Sequence, residues 1–172
     1  ALYYNTELLD KSGVPLAPIT WDEFVEAVKK TTRFNRDGEI VQSGASLGTG
    51  NNIDNVDDTI FDNSNMASIK MDYSSGVNAS FRSADLSRSS LLQVEALEAD
   101  FTKANLKEAS LLGSNLQRSK FLGVDARRAR FNEANLNFSD LTSADLRDAN
   151  FKSAELIGTN LSEVRISGAN ME

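Results

Sequence analysis

The sequence predicts a mainly β fold: a quadrilateral β-helix over residues 79–172, preceded by a small α/β segment over residues 1–55 and a linker over residues 56–78. Three observations carry that prediction. An apolar residue recurs every five positions with no insertion or deletion, from Phe81, Leu86, Leu91 and Ala96 through to Leu161, Ile166 and Met171, 19 positions in all. Two residues before each lies a small or β-branched residue, from Ala79, Ala84, Ser89 and Val94 through to Val164 and Ala169. Upstream, residues 1–55 show ordinary helix and strand patterns and no such period.

The upstream segment reads element by element. Leu2-Tyr3-Tyr4 suits a short buried strand. Thr6 to Lys11 suits one or two helical turns, ended by Gly13 and Pro15. Thr20 and Glu23 form a capping-box pattern, after which Trp21, Phe24, Val25 and Val28 keep helical spacing; Lys29, Lys30 and Arg33 suit the C-terminal end of that helix. Asp37-Gly38 marks a turn, and Glu39 to Leu47 reads as a strand. Asp57, Asp58, Asp62, Asn63 and Asn65, followed by Ser74-Ser75-Gly76, make residues 56–78 read as a polar join. The acids Asp54, Asp57, Asp58 and Asp62 lack the order of a calcium loop and are expected to be solvated.

The five-residue period excludes the two common regular structures. On a helix, successive large residues would step about 140° and smear around the cylinder. On a flat strand, every second one would face the wrong side. The pattern works if the chain turns a corner once per five residues, always in the same sense, so that the large and the small residue both face inward. Four sides close a 20-residue coil, and coils stack at about 4.8 Å. Nineteen units then make about 4.75 coils, a rod on the order of 20 Å long. Ala96 and Ala126 are the only small residues at the large position, and each follows a valine, Val94 or Val124, which conserves interior volume. Folding the chain at 20 stacks Phe81, Phe101 and Phe121 on one side and Phe131 and Phe151 on another; with Leu106 and Leu146 these form the expected core. Gly113, Gly123, Gly158 and Gly168 all lie two residues after a large position, where a corner with positive φ favours glycine.

Two family resemblances attach to these residues. Units such as Ala84-Asp85-Leu86, Ala104-Asn105-Leu106, Ala134-Asn135-Leu136 and Ala144-Asp145-Leu146 resemble the A-(D/N)-L-x-x unit of pentapeptide-repeat proteins. That resemblance implies a right-handed coil. Leu2-Tyr3-Tyr4-Asn5, Leu8-Leu9, Gly13-Val14-Pro15, Thr20-Trp21-Asp22-Glu23-Phe24 and Asp37-Gly38 resemble a segment of the sugar-type extracellular solute-binding proteins of bacterial ABC importers. Those receptors are several times longer and two-lobed, so a fragment or fusion is implied. Tyr3 and Trp21 are the only aromatics placed to reach a sugar, and packing of the lobe core is the favoured role for both. No sugar ligand is expected of this chain. The first resemblance suits a cytoplasmic protein and the second an extracytoplasmic one.

Composition narrows function further. Residues 1–78 hold 12 acids and 6 bases; residues 79–172 hold 13 and 12. Without a basic surplus, direct nucleic-acid binding is not expected, and the near-neutral repeat also disfavours a DNA mimic that occupies a topoisomerase. Cys and His are both absent, which removes disulfides, thiolate chemistry, Cys/His zinc sites and histidine catalysis. No catalytic residue, metal site, cofactor or membrane span is expected, and the chain reads as non-enzymatic. Lys107, Arg127 and Arg147 lie 20 apart and should stack as a basic column beside Asp85, Asp125 and Asp145, flanked by Glu108 and Asp148. The column is either a docking stripe for a protein partner or a self-neutralising solvated ladder. Met171 faces inward one residue before the last, and end-to-end pairing of two copies, or fraying of the last coil, is expected there.

Overall fold

The computed structural model describes residues 56–172 and, before them, the backbone of two short strands. These strands, β1 (Arg33–Phe34) and β2 (Ile40–Gln42), pair antiparallel with an irregular register, Arg33 opposite Gln42 and Phe34 opposite Ile40. β2 falls inside the expected Glu39–Leu47 strand. Arg33, expected to close a helix, is instead in β1, following the β-branched pair Thr31-Thr32, which favours extended chain. The remaining expectations for residues 1–55, including the strand at Tyr3 and the helix at Trp21, lie outside the described residues.

From Val56 to Asn170 the backbone repeats one five-residue unit: an inward large residue, a two-residue corner, an inward small residue, and a bridge residue. Every bridge is parallel and joins residue i to i+20, from Ile60 with Ser80 to Asn150 with Asn170. The expected 20-residue coil is thus formed. Within a unit the small residue's N–H closes the corner onto the large residue's carbonyl, as Ala84 does to Phe81 at 3.0 Å. Neighbouring coils exchange further bonds, for example Leu86 N–H to the Asn105 carbonyl at 2.8 Å. The second corner residue takes positive φ in all 23 units, 19 of them without glycine. A type II turn requires that conformation at this position.

Residues 56–78 are not a linker. They form the first coil of the same helix and the start of the second, with Val56, Phe61, Met66, Met71 and Gly76 at the large position. Twenty-three corners make about 5.75 coils, a rod on the order of 28 Å at the strand spacing. The polar composition misleads because Thr59, Ser64 and Ser74 occupy inward small positions. The Ser64 and Ser74 hydroxyls donate to the Phe61 and Met71 carbonyls of their own corners at 2.5 and 2.6 Å, which satisfies them without water. Gly76 leaves room for Val56, whose Cγ2 lies 3.3 Å from where a β-carbon would stand.

The bore holds one continuous apolar core. Phe61, Phe81, Phe101 and Phe121 stack face to face along one side, with centroids 5.2, 5.0 and 4.9 Å apart. Phe131 and Phe151 stack at 4.8 Å along another side, and Phe121 meets Phe131 edge-on at 6.1 Å. Leu106 and Leu146 are fully buried, as are the compensating pairs Val94 with Ala96 and Val124 with Ala126. In the last described coil Ile166 and Met171 are 45% and 44% exposed.

Candidate functional site

With the bore filled, the chemistry lies on the four outer faces. These are identified below by the large residue behind them: the Phe81, Leu86, Leu91 and Ala96 faces. The Asp or Asn that precedes many large residues caps the corner that follows. Its Oδ1 accepts the N–H two residues on: Asp85 from Ser87 at 3.0 Å, Asp100 from Thr102 at 2.9 Å, Asn105 from Lys107 at 3.2 Å, Asn150 from Lys152 at 3.0 Å. An Asx side chain is short enough to reach its own turn in this way. At three corners where serine takes the capping place, an acid one coil earlier does the work. Asp57 accepts Ser75 Oγ at 2.5 Å and Val77 N–H at 2.7 Å; Asp62 serves Ser80 and Arg82, and Asp72 serves Ser90 and Leu92, in the same manner. Asp57 and Asp62, expected to be solvated linker acids, are therefore inter-coil caps. Among the described residues no group of three or more acids, cysteines or histidines could hold a metal ion, and no helix is long and apolar enough to cross a membrane.

The stripe Lys107, Arg127, Arg147 lies in one row of the Leu86 face, one coil apart per step, through the bridges Asn105–Asp125–Asp145. The two arginines do not stand free. Arg127 donates Nε to Asp125 Oδ1 at 2.8 Å and a terminal N–H to Oδ2 at 2.6 Å; Arg147 repeats this on Asp145 at 2.8 and 2.7 Å. Arg165 lies 3.9 Å from Asp145 one coil further. Arg128 spans Glu108 at 3.7 Å and Asp148 at 3.9 Å, tying three coils together. The Lys107 ammonium has no ion pair among the described residues.

The hydrogen bonds from Arg127 and Arg147, with the nearby guanidinium charges, hold the Asp125 and Asp145 carboxyls below the ordinary 3.8. A carboxyl with a depressed folded pKa contributes stability that is complete above its unfolded pKa and lost as pH falls through the folded one. Parent protein should therefore lose thermal stability below pH 3.8 more steeply than an Asp125→Asn/Asp145→Asn variant. Asparagine keeps the corner cap, as Asn105 and Asn150 show, and drops only the charge pairing. Superimposable midpoint-versus-pH curves would refute the role of these pairs.

Two outward features escape the five-residue pattern. Tyr73 and Phe138 sit at positive-φ corners, 72% and 60% exposed, and Ile157 beside Phe138 is 69% exposed. A sequence signal existed: they are the only aromatics at the second corner position, which otherwise carries polar residues or glycine. Tyr3 and Trp21 lie outside the described residues.

A family profile described as pentapeptide repeats matches residues 79–117, 97–132, 109–148 and 134–172, more than half of the chain. No curated protein matches it. Among solved structures, it is similar to HetL, a pentapeptide repeat protein involved in heterocyst differentiation regulation from the cyanobacterium Nostoc sp. strain PCC 7120. The identity is 17% and the TM-score 0.41, over 69% of this chain and 84% of that one. It is also similar to QnrB1, a plasmid-mediated fluoroquinolone resistance protein, at 18% identity and TM-score 0.43, over 67% and 66%. Rfr23 from the cyanobacterium Cyanothece 51142 matches at 23% identity and TM-score 0.32, over 57% and 64%.

Proposed function

Because the chain belongs to the pentapeptide-repeat family, we propose that it is a non-enzymatic scaffold presenting a rigid, mixed-charge surface to a protein partner. One observation carries this reading. Each outward side chain stands in register with its counterpart 20 residues on, so charges form fixed rows instead of scattered points. The interior is consumed by packing and the corner caps by backbone, which leaves the rows as the chemistry on offer. Repeat architectures supply such extended faces because each unit contacts only its neighbours.

On this reading the Leu86 face is the docking surface. The Arg127–Asp125 and Arg147–Asp145 pairs are preformed, so a partner meets an ordered array with little side-chain entropy left to lose. Lys107, which has no ion pair among the described residues, supplies a cation at one end of the row. A dense acidic mimic of duplex DNA is less well supported: residues 56–172 hold 17 acids and 13 bases, interleaved. The test is capture with immobilised protein and with a Lys107→Glu/Arg127→Glu/Arg147→Glu variant. A partner held by the parent should be lost by the variant. Equal capture by both would show that the row is only solvated surface.

A further inference from the structure

We propose that the groove beneath Phe138 is a second docking site, on a different face, for an acidic peptide segment that carries a large apolar side chain. The inference rests on the surface-display reading but on separate residues. Phe138 is a bulky aromatic held at φ +62, a backbone region that suits Gly and Asn and is a genuine outlier for such a residue. The residue is 60% exposed, so burial does not explain it. The coil is nonetheless shaped around the ring. A β-carbon on Gly158, the next residue up that corner column, would stand 2.8 Å from Phe138 Cδ1. Ile157 is fixed beside it, with its N–H on Asn137 Oδ1 at 2.7 Å and its carbonyl accepting the Phe138 N–H at 2.9 Å. A strained aromatic and a glycine that makes room for it together present one apolar knob to solvent.

The groove at the foot of that ring, about 490 Å³, is lined by Arg82, Arg118, Lys120 and Leu122 together with Asp100 and Asp140. The two carboxylates are partly occupied. Asp100 accepts the Thr102 N–H at 2.9 Å, and Asp140 accepts the Thr142 N–H and hydroxyl at 3.0 and 2.5 Å. The cations keep open donors. Arg82 reaches Asp100 only at 3.8 Å and is 58% exposed; Arg118 reaches Glu98 at 3.4 Å and is 65% exposed. Lys120 is exposed and makes no ion pair among the described residues. A guanidinium offers five N–H groups in a fork, so both arginines can take a further carboxylate. The site thus pairs an apolar wall with unfilled donors for anions. Three cations against two carboxylates already engaged by their own corners favour carboxylate ligands, and the apolar ring beside them favours a peptide with an apolar side chain over a polyphosphate chain, which offers nothing to cover that ring.

Fluorescence anisotropy with a fluorescein-labelled Glu-Asp-Phe-Glu-Leu-Asp peptide tests this at low salt. Saturable binding is expected. It should weaken by about tenfold or more in Phe138→Asn and in Arg118→Glu/Lys120→Glu, as loss of an aromatic anchor or of its charge partners does. It should be unchanged in the Lys107/Arg127/Arg147 reversal, so that the two surfaces stand or fall separately. Asparagine suits a positive-φ corner, so Phe138→Asn should hold or raise the thermal midpoint while it weakens binding. The proposal is overturned by absence of saturation, by equal binding in Phe138→Asn, or by a lowered midpoint in that variant, which would make the ring structural. Preference for a charge-reversed peptide, or for a labelled oligothymidine, would overturn it as well.

Discussion

Replacing Phe101 by alanine should destabilise the coil by about 3–5 kcal/mol, the usual range for deleting a buried phenyl ring. Phe101 is 2% exposed and lies between two parallel rings, Phe81 at 5.0 Å and Phe121 at 4.9 Å. The deletion loses the ring's transfer free energy and both stacking contacts, and it leaves a hole in the bore. The hole cannot close by backbone collapse. The coil spacing above and below is set by bridges at Asp100 to Ser80 and to Lys120, which the substitution does not touch. The loss should be local first, because each coil leans only on its neighbours. Amide exchange in the coils around residues 81–121 should therefore accelerate more than exchange near Phe151. Arg88→Ala, on an exposed corner, is the control and should change stability by less than about 0.5 kcal/mol. An unfolding free energy for Phe101→Ala within about 1 kcal/mol of the parent's would be incompatible with a ring that plugs the bore.

Why the inner half of this fold is readable, and the outer half less so, follows from what selects each residue. Inward positions are selected by volume, and volume leaves a strict letter pattern: Val94 with Ala96 is legible because total bulk is conserved. The first coil hides because its inward residues obey a different economy of bonding. Ser64 and Ser74 satisfy their hydroxyls on corner carbonyls, and Gly76 cedes its space to Val56, so the apolar row breaks although the coil does not. Outward rows can be located by counting in twenties, which is how Lys107, Arg127 and Arg147 come together. Whether a row is open or closed is a matter of rotamers. Arg127 and Arg147 fold back on the aspartates two residues before them, while Lys107 has Asn105, not a carboxylate, at that place. Counting could not show that Phe138 bears on Gly158. That contact depends on which way a ring turns at a corner, and it is visible only in three dimensions.

Two buried serines at the same position of the repeat should respond to alanine with opposite sign. Ser114 is 1% exposed and stitches two coils. Its hydroxyl donates to the Leu91 carbonyl at 2.7 Å and accepts the Val94 N–H at 3.1 Å. Most corners close with a direct bond from the small residue's N–H to the large residue's carbonyl. At Leu91–Val94 the serine from the coil above stands in that gap. Ser114→Ala removes the bridge and strands a buried N–H and a buried carbonyl. A cost of about 1–3 kcal/mol is expected, with faster exchange at the Val94 amide as the local signature. Ser89 is 2% exposed, and its Oγ has no hydrogen-bond partner among the described residues. A buried hydroxyl without a partner is a desolvation penalty with no return, so Ser89→Ala should leave stability unchanged or raise it by up to about 1 kcal/mol. Equilibrium denaturation of both variants under one condition decides the matter, because volume change and chemistry are identical and only the bonding differs. If both variants lost the same stability, the effect would be a cavity effect, and the inter-coil hydroxyl bridge would carry no part of the coil's stability.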